Sequence, residues 1–209
     1  MRSNRLEAFS DGVLAIIITI MVLELRAPVA EGQPAAFSDL WNGESAVAPV
    51  FLSYVLSFFY IAIYWNNHHH LMQTVDRVTG GILWANMFLL FCISLFPFAT
   101  AWSGENFGDA APAAAYGMVL LAAGGAYTLL VRVIIHSQGQ DSLTQRAVGR
   151  DTKGLVSVVA YTLAIPCAFI SAWISYAIFV GVAILWVVPD RRIERVLVAE
   201  GRLDAATAD

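Results

Sequence analysis

The sequence predicts an all-α integral membrane protein with six transmembrane helices and both termini in the cytoplasm, and three observations carry that expectation. The 209-residue chain is 58% hydrophobic and only 13% charged. Its mean hydropathy is +0.66, so it has too little polar surface to cover itself in water. Its apolar residues collect into six runs, each stopped by turn residues or charges. The basic residues then sort to one side. With the N-terminus inside, Arg2, Arg5, Arg77, Arg132, Arg146, Arg150, Lys153, Arg191, Arg192, Arg195 and Arg202 are all cytoplasmic, and only Arg26 is outside. That bias sets orientation in a bilayer, here as a multi-pass protein of the cell membrane.

The first helix runs from about Ser10 to Leu25 and is stopped by Arg26 and Pro28. Between Val13 and Leu23 its only polar side chain is Thr19, yet Arg5, Ser10 and Asp11 stand at its cytoplasmic end. Ionisable groups this near hydrocarbon are costly unless paired or turned toward protein or water, which makes Arg5 and Asp11 functional candidates. The plainer reading of Ser10 and Asp11 is a helix N-cap, and both roles can hold together. A cleaved signal peptide fits poorly, because Glu7 and Asp11 spoil a basic n-region and Leu25-Arg26-Ala27 is a poor cleavage site.

A polar, acidic stretch over residues 31–44 follows, then a second helix over about 46–65. The third covers about 80–102, with Pro97 placed to kink its far end. The fourth covers about 113–135, and residues 136–153 form a polar linker. The fifth and sixth, about 154–169 and 173–188, are so close that they must form a tight antiparallel hairpin. Residues 1–189 thus make one transmembrane domain, and 190–209 a cytoplasmic tail that reads as amphipathic from Arg191 to Ala206.

Other chemistry is thinly represented. Cys92 and Cys167 both lie in apolar runs, as packing residues with no disulfide or metal spacing. His68, His69 and His70 are adjacent, so on a helix they point about 100° apart and make poor co-ligands. Hydrogen bonding at the membrane interface, or a response to pH, suits them better. No nucleophile and base stand together, which argues against an enzyme. A net charge of -4, without a basic stretch interleaved with aromatics, gives no nucleic-acid surface. No cofactor is implied. Asn86, Ser94, Tyr161, Thr162, Ser171 and Ser175 read as interhelical hydrogen-bonding residues. Gly117, Gly124 and Gly125 suggest close helix packing, and Trp41, Trp65, Trp102, Trp173 and Trp186 an interfacial belt.

Arg5, Phe9, Ser10 and Asp11 form an R-x-x-x-F-S-D motif running straight into the first apolar helix. That motif resembles the start of the endosomal and lysosomal transmembrane potassium channel family, in its prokaryotic form with one six-helix unit per chain. Trp65, Asn66, Asn67, His68 and His69 look like the family's W-x-x-H element ending the second helix, and Asn86, Pro97 and Phe98 like its N…P-F third helix. The likeness covers the first hundred residues. The second half is similar mainly in hydropathy.

The resemblance implies a homotetrameric, potassium-permeable channel whose pore is lined by the first helix, with Ile16 at a hydrophobic constriction. At 100° per residue Gly12, Ile16, Thr19 or Ile20, and Leu23 share one face. Potassium in transit would pass Ile16 and Thr19. The chain holds one copy of this face, so a pore on an axis needs self-association. The alternative is that these positions are core or lipid-facing, since the helix is apolar on nearly every side. No T-V-G-Y-G segment exists, so a carbonyl filter of the usual kind is absent and selectivity over sodium is expected to be modest. Arg5 and Asp11 lie about 240° apart on one helix, so each is expected to pair elsewhere, with Ser10, Trp65, His68 and His69 as neighbours. Arg26 beyond Leu23 would repel cations at the outer mouth unless Glu24 or the acidic loops offset it. The expected partners are further copies of the chain, membrane lipid and monovalent cations. The competing function is a secondary ion transporter, which the sequence supports with neither an inverted repeat nor a pair of broken helices at midplane.

Overall fold

The computed structural model describes residues 3–26, 40, 47–75, 77–139, 142–148 and 151–187. The acidic stretch over 31–44, apart from Leu40, lies outside these described residues, as do Pro28, Trp41 and the tail after 187. Within them every regular element is an α-helix, in the order α1 (Ser3–Leu23), α2 (Val47–Gln73), α3 (Gly80–Ile93), α4 (Phe96–Glu105), α5 (Ala110–Gln138), α6 (Leu143–Val148), α7 (Thr152–Cys167) and α8 (Ala172–Val187).

Helix α1 begins seven residues before the expected Ser10. The reason is a single buried stripe, Leu6, Ser10, Leu14, Ile17 and Met21, whose spacing of three and four extends the helix back past the motif. Ser10 is therefore not an N-cap. It lies a third of the way along, and its hydroxyl donates to the Leu6 carbonyl at 2.9 Å. Helix α2 also outruns its sequence boundary at Trp65. His68, Leu71 and Met72 continue its buried face, so the W-x-x-H element sits inside the helix rather than ending it. At 1.5 Å per residue α2 is about 40 Å long, roughly 10 Å more than a hydrocarbon core.

The third predicted helix is two. Pro97 has no N–H to offer the Ile93 carbonyl, and the chain passes through a turn at Ser94 and Leu95 before resuming. Helix α5 stops where Gly139 takes φ 95°, a left-handed conformation that glycine adopts without strain. Inside the linker, α6 is fastened to the end of α2 by a 2.7 Å hydrogen bond between the Thr144 and Thr74 hydroxyls. The hairpin of α7 and α8 forms as expected, with the Ser175 hydroxyl donating to the Ala164 carbonyl at 2.7 Å.

Four apolar rods, Ser3–Leu23, Val47–Gln73, Gly80–Glu105 and Ala110–Gln138, have the length and composition to cross a membrane, and α7 and α8 are shorter apolar helices. Phe88, Phe91, Phe98 and Trp84 stand exposed on their surface, so the chain is a multi-pass membrane protein with an apolar outside.

Helix α1 packs on α2, α3 and α4, α3 on α5, and α5 on α7. At the centre, Tyr60, Phe96, Tyr116 and Phe179 are almost wholly buried. Hydroxyls among them form a chain. The Thr100 hydroxyl donates to the Phe96 carbonyl at 2.7 Å, and Ser57 lies 2.6 Å from Thr100 and 2.7 Å from the Tyr116 hydroxyl. With the Thr100 proton committed to Phe96, Ser57 donates to Thr100 and Tyr116 donates to Ser57, so every member is satisfied.

The glycine expectations divide. A Cβ on Gly117 would meet Ile165 and Phe179 at 3.1 Å, which is close packing. One on Gly125 would meet nothing within 4 Å. The tightest crossing is at Gly104, where a Cβ would fall 2.8 Å from the Val50 Cα, so α4 and α2 touch backbone to backbone. Ser94 and Thr162 hydrogen-bond within their own helices rather than across to others. Both cysteines are free thiols, but Cys167 is only half-buried.

Candidate functional site

The motif residues gather where the first half of α1 meets the last turns of α2 and the start of α3. Ser10 is fully buried, and its only proton goes to Leu6, so its oxygen accepts from the Asn86 side-chain amide at 3.0 Å. That orientation turns the Asn86 carbonyl oxygen to His68, whose Nε2 lies 2.8 Å away and carries the proton that it accepts. His68 Nδ1 is then left buried with no hydrogen-bond partner among the described residues. Three helices are joined by this one line of side chains, in a region where water cannot substitute for a lost partner.

A second layer lies nearer the surface. The Trp65 indole N–H donates to Asp11 Oδ1 at 3.0 Å. The Gln73 amide nitrogen lies 2.9 Å from His69 Nε2, while His69 Nδ1 stands 2.6 Å from Glu7 Oε1. If Gln73 donates, the ring's own proton is on Nδ1 and points at the carboxylate. Trp65 also stacks on the His69 ring, with centroids 6.0 Å apart and planes at 19°.

Asp11 therefore finds its partner on another helix, as expected, but that partner is an indole rather than a cation. Arg5 is exposed and forms no ion pair among the described residues. Phe9 is half exposed and stays outside the network. Sequence reasoning missed Glu7 and Gln73. The signal was there in the spacing: Glu7 and Asp11 are four apart on α1, and His69 and Gln73 four apart on α2, so each pair shares one face.

The other face of α1 is bare. Ile16 is 59% exposed, Leu23 76% and Ile20 43%, with Gly12 and Thr19 exposed on the same side. The Thr19 hydroxyl donates to the Ile16 carbonyl at 2.8 Å. Glu24 and Arg26 follow the last turn, Arg26 exposed. Among the described residues no group of three or more His, Cys, Asp or Glu side chains is placed to hold a metal ion, the histidine run included.

The family model for the endosomal/lysosomal potassium channel TMEM175 matches residues 5–97, the span that holds the whole network. A potassium channel of Chryseobacterium sp. (strain P1-3) is 47% identical over 197 residues, covering 94% of this chain and 98% of that one. The human endosomal/lysosomal proton channel TMEM175 is 33% identical over 103 residues, which are 47% of this chain and 20% of the human protein. The crystal structure of a lysosomal potassium-selective channel TMEM175 homologue from Chamaesiphon minutus superposes with a TM-score of 0.68 at 26% identity, covering 88% of this chain and 96% of that one.

Proposed function

The chain belongs to the endosomal/lysosomal potassium channel TMEM175 family, and from that premise we propose a passive, potassium-permeable pore built from four copies of the chain. In this reading the four α1 helices surround the axis, Ile16 forms the narrowest ring, and Thr19, Ile20 and Leu23 continue the lining.

The observation that carries it is the bare aliphatic face of α1, with Leu23 76% and Ile16 59% exposed opposite a stripe that is fully buried. One chain offers one such face, and a closed ring on a symmetry axis uses several. A ring of branched aliphatic side chains narrow enough to dewet closes without a charged gate. Thr19 has given its proton to Ile16, so toward the axis it presents only lone pairs, which suit a cation that has shed part of its hydration shell. Selectivity then rests on ring width and one hydroxyl, and discrimination between potassium and sodium is modest.

Ser10, Asp11, Trp65, His68, His69 and Asn86 hold α1 in place rather than touching the ion. The chain crosses the cell membrane six times, counting α3 and α4 as one broken span, with both termini cytoplasmic. Its partners are its own copies, lipid and monovalent cations. It carries no cofactor and performs no catalysis. The human relative is named a proton channel, whereas the relative matched over nearly its whole length is named a potassium channel, so potassium is the assigned ion.

Planar-bilayer recording under separate potassium, sodium and proton gradients tests this. Ile16→Asn is expected to raise single-channel conductance and move the potassium-to-sodium permeability ratio toward one. Unchanged currents would sink the assigned lining. Saturable flux coupled to a proton or sodium gradient would make the protein a transporter instead.

A further inference from the structure

Away from α1, a cavity opens between α2, α5, α7 and α8, on the same end of the bundle as the α1 motif. Its free space, counting the open mouth, is about 480 Å³, much of it at that mouth, so the interior suits a group of several heavy atoms rather than a drug-sized molecule.

Its walls are aromatic: Tyr60, Tyr64, Tyr127, Tyr161 and Trp186, with the Asp151 carboxylate among them. Tyr64 meets Tyr127 and Tyr60 meets Tyr161 edge to face, each with ring centroids 6.3 Å apart. The other polar groups of these walls are already committed. The Tyr127 hydroxyl donates to the Asn67 carbonyl, the Tyr161 hydroxyl to Tyr60, and the Trp186 indole to Ser157. Two are not. Asp151 accepts the Gly154 N–H with Oδ1 as the N-cap of α7, and its second oxygen makes no hydrogen bond to the described residues. The Tyr64 hydroxyl has no hydrogen-bond partner among the described residues, and would lie 3.8 Å from a Cβ on Gly124 at the cavity wall.

The charge pattern selects the occupant. Aromatic faces carry negative quadrupoles, and a carboxylate at the same site adds a full negative charge, so an anion is repelled. A bare acyl chain would leave the Tyr64 hydroxyl facing hydrocarbon. A naked metal cation wants six or more oxygens, and these walls offer few. Among the described residues no lysine or arginine lines the cavity to neutralise Asp151 from within. At its edge, Lys153 Nζ already stands over the Trp186 ring, 5.8 Å from the centroid, so one wall holds a cation in the structure itself.

We propose that this cavity is a binding site for a small alkylammonium group, held by the aromatic walls, the free Asp151 oxygen and the Tyr64 hydroxyl. No α1 residue lines it, so it does not rest on the pore reading.

Calorimetric titration of the full chain in detergent with tetramethylammonium chloride, against sodium chloride at equal ionic strength, tests the proposal. Saturable binding is expected with the organic cation alone. Asp151→Asn keeps an N-cap and should weaken binding about tenfold by removing the charge. Gly124→Leu fills the cavity and should abolish binding, whereas Gly124→Ala makes only ordinary contact and should leave it within about twofold. Circular dichroism and elution volume check that each variant folds. The absence of saturable binding, or equal affinity in the wild type and Asp151→Asn, overturns the site. Loss of binding on Ile16→Asn would put the probe in the pore and overturn it as well. Repeating the titration in nanodiscs distinguishes the source. Binding that is masked in phosphatidylcholine but present in phosphatidylglycerol identifies a choline headgroup as the occupant, and binding in both identifies a free amine.

Discussion

The two faces of α1 are built on opposite rules. One carries Leu6, Ser10, Leu14, Ile17 and Met21, all at 4% exposure or less, and is fixed by Ser10's link through Asn86 to His68. The other carries Ile16, Thr19, Ile20 and Leu23, all exposed, and its one hydroxyl, on Thr19, bonds back to its own helix. In lipid, apolar residues gain little by leaving acyl chains for protein, so a helix is positioned by packing detail and polar links rather than by greasiness. The buried face thus decides where α1 stands. The bare face is left free to be chosen for what the assembly needs.

Substitutions on the two faces should therefore separate cleanly in thermal melts of the detergent-solubilised chain. The largest loss is expected from Asn86→Leu. It strands Ser10 and His68 together inside the bundle and should cost about 2–4 kcal/mol. Retention of the wild-type midpoint would mean that the three-helix link does not position α1. Next comes a matched pair on one helix. Leu14→Ala should cost about 1–3 kcal/mol through lost packing contacts, while Leu23→Ala should stay within about 0.5 kcal/mol of wild type in monomeric detergent preparations. Equal losses in the pair would erase the distinction between faces. The smallest shift is expected from Trp65→Phe, which removes one hydrogen bond to Asp11 at a half-exposed site, about 0.5–1.5 kcal/mol. A larger fall there than for Asn86→Leu would move the anchor from the interior to the rim.

Much of this was legible in the sequence, and the misses have physical causes. Hydropathy placed the four membrane-scale rods found among the described residues, because length and composition settle that much. It broke down at the ends. The charges around Ser10 made the first helix seem to start at about that residue, whereas the stripe from Leu6 to Met21 carries it back past the motif. Pro97 announced a bend, but only its missing N–H, which leaves the Ile93 carbonyl without its helical donor, turned it into a break. Asn86, His68 and Ser10 could be named as candidates from the motifs. Their order in a hydrogen-bonded line could not be read, because it depends on where Ser10 gives its one proton. Gly117 packs closely as expected, but Gly125 meets nothing and the tightest approach is at Gly104, since a glycine's neighbour is set by the crossing helix and not by the glycine.

At Gly104 no side chain separates α4 from the backbone of α2, and at the opposite extremity of α2, His68 is bound to Asn86 of α3. The long α2 rod is thus riveted at both ends to the antiparallel span running from residue 80 to residue 105. Two beams fastened twice make a truss: they resist rocking against each other. Any travel of α1 must then be a glide along that frame, and it shears the Ser10 and Asp11 attachments before it bends anything else.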